Sequence, residues 1–179
     1  NFVSAYQFLR FLQRTLPNHL EMPPAPDAII NAKIPSLTDF PTEISERWPK
    51  ANPDLMQSRG NLFALPIDHS IGPTSWRGGS VSGTRQLHRF IEKGLPLYGE
   101  ERHNPDSSVS SGLSPWLHYG HISPHEIFDA VAESEGWTLP CISQKSDGRR
   151  SGWWGMTPTA EAFLDELVTW RELGFVFCS

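Results

Sequence analysis

Ten of the 16 prolines of this chain fall between residues 17 and 73, and this run constrains the fold more than any other feature. Proline removes a backbone N–H and fixes φ, so neither a long helix nor a central strand passes easily through such a segment. No stretch of the sequence shows a convincing alternation of apolar and polar residues, which a half-buried strand would need. We therefore predict an all-α fold with long irregular loops, in which the proline-rich segment is an extended connector.

Apolar residues at helical spacing predict helices on both sides of this connector. One amphipathic helix is predicted over residues 2 to 16, and a second over residues 81 to 93 with Gly94 placed to end it. Three more helices are predicted where a hydroxyl residue precedes proline, because Ser or Thr caps a helix and proline suits its first position. These starts are Ser114-Pro115, Ser123-Pro124 and Thr157-Pro158.

The length, charge and cysteine content limit the classes of protein to which this chain can belong. The length of 179 residues fits one domain, and a net charge of -5 argues against a free-standing nucleic-acid binder, although a local basic patch stays possible. Two cysteines without a short spacing motif indicate neither a disulfide framework nor a metal site. We expect a reducing, intracellular compartment, which is the cytoplasm if the source is bacterial, and no apolar run approaches the length of a membrane span.

A serine-rich stretch, "SSGLSPWLHYGHISPHEI", spans residues 110 to 127. Ser110, Ser111 and Ser114 precede a proline-started helix, so hydroxyl groups and unpaired backbone N–H groups occur together there. Phosphate groups bind readily to such donors. The alternative is that these serines only cap helices and form turns.

The segment "FLDELVTWRE" combines an acid, an aromatic ring and an arginine. Glu166 and Trp170 are four residues apart, which places them on one side of an α-helix, and Arg171 is adjacent. They could line a pocket, or Trp170 could belong to the core beside a solvated acid and arginine. Four histidines, at positions 103, 118, 121 and 125, lack the spacing of a zinc site, so no metal is predicted.

Three segments in register resemble the FAD-binding helical domain of the DNA photolyase and cryptochrome family. They are "GGSVSGTRQLHRFIEKGLPLY", "ERHNPDSSVSSGLSPWLHYGHISP" and "FLDELVTWRELGFVFC". The resemblance covers about residues 77 to 179, the N-terminal part of that domain, and makes residues 1 to 76 the connector and N-terminal helix that lead into it. The spacing of Glu-Leu to Arg-Glu-Leu is similar to class II photolyases, which usually carry arginine where this chain has Trp170.

The resemblance implies a role for each matching position. Glu166 would face the base edges of a DNA lesion, and Trp170 would lie near the lesion or the cofactor. The position facing the reactive flavin nitrogen is not assigned, so no catalytic residue is predicted. The positions implied to hold FAD are Tyr98, Ser110, Ser111, Gly112, Leu113, Ser114 and Arg171.

The implied activity is light-driven electron transfer from reduced FAD to a cyclobutane pyrimidine dimer in DNA, which splits the dimer. Two alternatives stay open: a cryptochrome-like FAD photoreceptor without repair activity, and a non-enzymatic helical module. Members of the family have an antenna domain before the flavin domain and further helices after the Trp-Arg-Glu segment. We therefore interpret the chain as a fragment and expect no repair from these residues alone.

Overall fold

The structure is a computed structural model that describes residues 2–22, 24–25, 27, 29–51, 53, 63, 65–72 and 74–178. These residues form helices joined by loops, and none of them lies in a strand, which confirms the predicted all-α class. The helices with bounds inside this part of the chain are α1 (Ala5–Leu20), α2 (Thr42–Arg47), α3 (Ser80–Arg89), α4 (Leu95–Glu101), α5 (Ser114–His118), α6 (Pro124–Ser134), α7 (Pro158–Leu164) and α8 (Arg171–Cys178).

The chain divides into two compact units. One unit comprises residues 1–26 together with 77–179, and the other comprises residues 27–76. In the second unit the described side chains are exposed, apart from the half-buried Leu65, and α2 is a single short helix without a buried residue. The predicted division at residue 77 into a connector and a flavin domain stays a prediction.

Helix α1 extends beyond its predicted end at residue 16 and includes Pro17. Proline at this position removes only one hydrogen bond, the one to the carbonyl of Gln13, and the helix ends one turn later. The side chain of Gln13 is buried and holds a distant loop: its Nε2 donates to the carbonyl of Arg149 at 2.8 Å, and its Oε1 accepts from the N–H of Gly148 at 2.8 Å. Helix α1 is therefore fixed to the loop that precedes α7.

Helix α3 does not end at Gly94 as predicted. It continues through a π-helical turn, Phe90–Gly94, directly into α4, and Gly94 itself has helical dihedral angles. A Cβ atom at Gly94 would lie 2.9 Å from the carbonyl oxygen of Val109. The glycine is thus required by the close approach of another segment and not by a helix end.

All three predicted helices begin at these positions, and two of the three predicted caps are confirmed. The hydroxyl of Ser123 accepts the N–H of Glu126 at 3.0 Å, and that of Thr157 accepts the N–H of Ala160 at 3.4 Å. The predicted cap at Ser114 is wrong, because Leu113 occupies the cap position and Ser114 is the first residue of α5. The hydroxyl of Ser114 therefore has no capping role.

The buried core of the first unit contains residues from each of the five helices α3, α4, α5, α6 and α7. Its inaccessible centre is formed by Ile127 and Val131 from α6 with Ala160 and Leu164 from α7. Aromatic rings extend this core towards the loop before α7, where the Trp137 indole N–H donates to the carbonyl of Trp154 at 2.7 Å. Part of the aromatic content thus builds this core, while other aromatic rings, such as Tyr119 and Phe177, are exposed.

Candidate functional site

Tyr98 projects from α4 into a group of aromatic rings at the contact between α4 and α7. Its ring lies edge-on to Phe90, with centroids 5.7 Å apart, and to Phe163, with centroids 5.4 Å apart. Gly99 permits the two helices to come close, since a Cβ there would lie 3.3 Å from the methyl group of Thr159. Edge-to-face contacts of this kind fix the orientation of a ring, so the position of Tyr98 is determined by packing.

Arg102, one turn after Tyr98, connects α4 with the segment after α7. Its Nη1 donates to Oε1 of Glu166 at 3.2 Å and to the carbonyl of Ala162 at 3.2 Å. The guanidinium carbon also lies 5.7 Å from the centroid of the Tyr98 ring. The Arg102 side chain is mostly buried, and the Glu166 side chain is about half exposed. The ion pair therefore fixes the orientation of the carboxylate, while part of the carboxylate remains accessible to a ligand.

The phenol of Tyr98 is electrostatically coupled to this ion pair. Burial raises the pKa of Tyr98 above its ordinary value, and the negative charge of Glu166 raises it further. The positive charge of Arg102 and its hydrogen bonding act in the opposite direction, to lower the pKa. The phenol is therefore held protonated, as a neutral hydrogen-bond donor, at every pH below its raised pKa.

Glu166→Gln should lower the pKa of Tyr98, because the change removes a negative charge that opposes ionisation. The measurement is a titration followed by tyrosinate absorbance, with Tyr98→Phe to identify the transition among the three tyrosines. Since the pKa is higher in the folded state, Tyr98 should also make unfolding easier as the pH rises from its unfolded to its folded pKa. An unchanged pKa in Glu166→Gln would contradict the coupling.

The serine-rich loop enters this region from the other side. The carbonyl of Ser111 accepts a hydrogen bond from Nε2 of Gln86 at 2.7 Å, and its hydroxyl oxygen accepts the N–H of Leu113 at 3.4 Å. Between them Gly112 has a φ of +62°, a left-handed conformation that suits glycine. The loop is therefore held in one conformation by a contact with α3 and by its own turn.

These elements enclose a pocket of about 410 Å³. Its surface combines hydroxyl groups, two arginines and one acid with apolar side chains, a mixture typical of a site for a ligand with flat and charged parts. Three of the implied positions, Ser110, Gly112 and Trp170, do not line it. The positions that do are Tyr98, Ser111, Leu113, Ser114, Glu166 and Arg171.

Trp170 does not line the pocket, and the helix that carries it widens between α7 and α8. The segment Asp165–Trp170 is a π-helical turn, in which residues five apart face each other. The indole N–H of Trp170 accordingly donates to Oδ2 of Asp165 at 3.1 Å, and Arg150 stacks on the Trp170 ring at 5.6 Å while also binding Asp165. Glu166 thus lines the pocket, whereas Trp170 contacts Asp165 and Arg150 outside the pocket lining, and its assignment to the lesion or the cofactor stays a prediction.

The sequence patterns missed several residues of the pocket. Arg102 is the most informative of them, since it holds Glu166 by a hydrogen bond across 64 positions of the chain. Outside the lining, Gln86 holds Ser111 in the same way across 25 positions. Leu117 and Phe163 supply apolar surface. Arg102 belongs to the Arg-x-x-Pro motif that carries part of the resemblance, so that motif was the available signal. Gln86 had none.

Two classes of site find no support in the part of the chain that the structure describes. No three His, Cys, Asp or Glu side chains come together there as metal ligands. No helix within the same residues has both the length and the apolar character needed to cross a membrane. The two cysteines, Cys141 and Cys178, are both free and exposed.

Comparison with curated proteins identifies relatives of this chain. It is 34% identical over 152 residues to the deoxyribodipyrimidine photo-lyase of Potorous tridactylus, which covers 83% of this chain and 25% of that protein. It is 28% identical over 115 residues to the deoxyribodipyrimidine photo-lyase of Methanothermobacter thermautotrophicus, covering 64% of this chain and 20% of that protein. A shorter match, 37% identical over 57 residues, is with cryptochrome-1 of Arabidopsis thaliana and covers 32% of this chain and 8% of that protein.

The extent of these matches has two consequences. The chain spans about a quarter of the length of the Potorous protein and less of the others. The Potorous match is longer than residues 77 to 179, so the similarity extends into the residues before them. No family model matches the chain, and no solved structure matches it significantly.

Proposed function

The chain is a partial member of the DNA photolyase and cryptochrome family, and on that premise we propose that it forms part of the FAD-binding domain of a light-dependent DNA repair enzyme. The observation that carries the proposal is the pocket. It joins Tyr98, the neighbouring residues Ser111 and Ser114, and Arg171, which come from three separate places in the sequence, around one cavity. These residues are among those that the family resemblance assigns to the flavin.

The chemistry of the pocket fits the anionic part of FAD. Ser111 and Ser114 offer hydroxyl groups, and the Ser111 oxygen accepts a hydrogen bond from the backbone, which leaves its proton free to donate. Arg171 also lines the cavity, and among the described residues no acidic side chain forms an ion pair with it. An unpaired guanidinium beside two hydroxyl groups is suited to a phosphate group, which it binds by charge-assisted hydrogen bonds.

The remaining lining suits the uncharged parts of the same molecule. Tyr98 and Phe163 present aromatic edges, and Leu117 and Leu167 add aliphatic surface. The cavity of about 410 Å³ would hold part of the FAD molecule, and the rest of the cofactor would lie outside it. When bound in its reduced form, FAD supplies the electron that opens the cyclobutane ring of the lesion.

Other residues of this chain would position the groups that contact the lesion. Arg102 holds the Glu166 carboxylate at the rim of the pocket, where its half-exposed oxygens can accept hydrogen bonds from the edges of a base. A pyrimidine dimer inside a duplex must be flipped out to reach such a site. Trp170 stays assigned to the lesion or the cofactor as a proposal, with its stacked partner Arg150 beside it.

The test is repair by the protein at full length. Reduced protein is mixed with DNA that contains pyrimidine dimers, and dimer loss is followed in the light and in the dark. We expect loss only in the light. Visible flavin absorption without dimer loss would instead support a cryptochrome-like photoreceptor, for which the Arabidopsis match is the specific observation. A full-length protein without flavin absorption would instead support the third alternative, a non-enzymatic helical module.

A further inference from the structure

Gln86 lies on the buried face of α3 and reaches the serine-rich loop. It is half-buried and follows Gly83, where α3 packs so closely on Trp116 that a Cβ would lie 3.2 Å from the indole. The next residue, Leu87, is almost completely buried. The side chain of Gln86 thus starts from a backbone that core packing holds in place, which makes it a rigid support for whatever it contacts.

The contact of Gln86 determines which groups of the loop face the pocket. Its Nε2 donates to the carbonyl of Ser111 at 2.7 Å, and Gln86 itself does not line the pocket. Ser111 is among the residues that line it. The carbonyl oxygen, which would repel an anion, is therefore bound by a group outside the pocket lining, and the hydroxyl remains available to an anion in the cavity.

Gly112 fits the same arrangement. Its φ of +62° reverses the chain after Ser111, and a Cβ there would lie 3.0 Å from Nε2 of Gln86. Any side chain at position 112 would therefore press on the amide that holds the loop. The amide of Gln86, the peptide of Ser111 and the bare Cα of Gly112 form one packed unit.

We infer that Gln86 is a positioning residue for a phosphate-binding loop, because it turns the Ser111 carbonyl away and so presents the hydroxyl of Ser111 to an anion. The inference rests on the proposed FAD site and assigns a recognition step within it. Gln86 acts on the phosphate part of the ligand alone, since the only hydrogen bond that its side chain forms among the described residues is with this loop. It should leave the recognition of the isoalloxazine ring unchanged.

The experiment compares two flavins that differ in their phosphates. FAD carries a diphosphate and riboflavin carries none, so affinities for both are measured by flavin fluorescence on the full-length protein and on Gln86→Leu. Gln86→Leu should weaken FAD about tenfold, because it leaves a partly buried carbonyl without its donor and free to turn. Riboflavin affinity should stay the same. Gln86→Lys, which restores a donor of similar reach, should recover most of the FAD affinity.

Gln13→Leu is the matched control. Gln13 is a second glutamine that holds a loop by backbone hydrogen bonds, but its loop at residues 148 and 149 does not line the pocket. This change should lower stability and leave the ratio of the two flavin affinities as in the wild type.

The outcomes separate the inference from its premise. If the wild-type protein binds neither flavin, the proposed function fails and the inference fails with it. If the wild type binds FAD, the inference alone is overturned by either of two results: Gln86→Leu binds FAD as tightly as the wild type, or it weakens FAD and riboflavin by the same factor.

Discussion

Replacing Gly155 with alanine is expected to lower the free energy of unfolding by about 3 kcal/mol or more. The residue has a φ of +73°, and a Cβ there would lie 2.4 Å from the carbonyl oxygen of Cys141. The left-handed conformation costs an L-residue about 1–2 kcal/mol, and overpacking adds about 1–3 kcal/mol. The loop cannot easily move away, because the Gly155 N–H donates to the buried carboxylate of Glu161 at 3.0 Å.

Gly152→Ala provides a matched control for this prediction. Gly152 also has a left-handed φ, +75°, and its N–H also donates to Glu161, but no atom beyond its two chain neighbours lies within 4 Å of the position of its Cβ. Gly152→Ala should therefore lower the free energy of unfolding only by the conformational cost of about 1–2 kcal/mol. Urea unfolding measures both variants, and equal losses would show that the contact with Cys141 relaxes without cost.

Arg171→Ala is expected to weaken FAD binding by the full-length protein by about 10- to 100-fold. Hydrogen bonds to charged groups contribute about 1.5–3 kcal/mol, and about 1.4 kcal/mol corresponds to a factor of ten. Arg171 lines the pocket and contacts the exposed ring of Phe175 at 5.1 Å, so truncating it should change folding stability little. Equilibrium dialysis or flavin fluorescence measures the affinity. Arg171→Lys should give an intermediate loss, because lysine keeps the charge but not the planar fork.

Lys145→Ala tests whether this loss depends on the position of the charge. Lys145 is an exposed cation on the loop before α7 and does not line the pocket. Its removal changes the net charge by the same amount as Arg171→Ala, so long-range attraction of an anion is equally reduced. FAD affinity should remain close to that of the wild type. Equal losses in the two variants would contradict a phosphate contact at Arg171.

The helix starts were predictable because their causes are local. A hydroxyl three residues before an unpaired N–H forms the same cap in almost any context, and Ser123 and Thr157 do so here. The continuation of the helix through Gly94 was not predictable, because the glycine is needed there for the close approach of Val109, a contact that the local sequence does not show. The hydrogen bond between Trp170 and Asp165, five residues apart, was not predicted for a related reason, since a π-helical turn leaves no periodic signal in the sequence.

The sequence by itself determined the all-α class, the caps of α6 and α7, and the residue types that an anion site needs, in the order that the family resemblance requires. Only the tertiary structure decided which of those residues meet. It brought Arg102 to Glu166 and Gln86 to Ser111, and it turned Trp170 towards Asp165. Local propensity acts over a few neighbouring residues, whereas these contacts depend on how helices far apart in the sequence pack against each other.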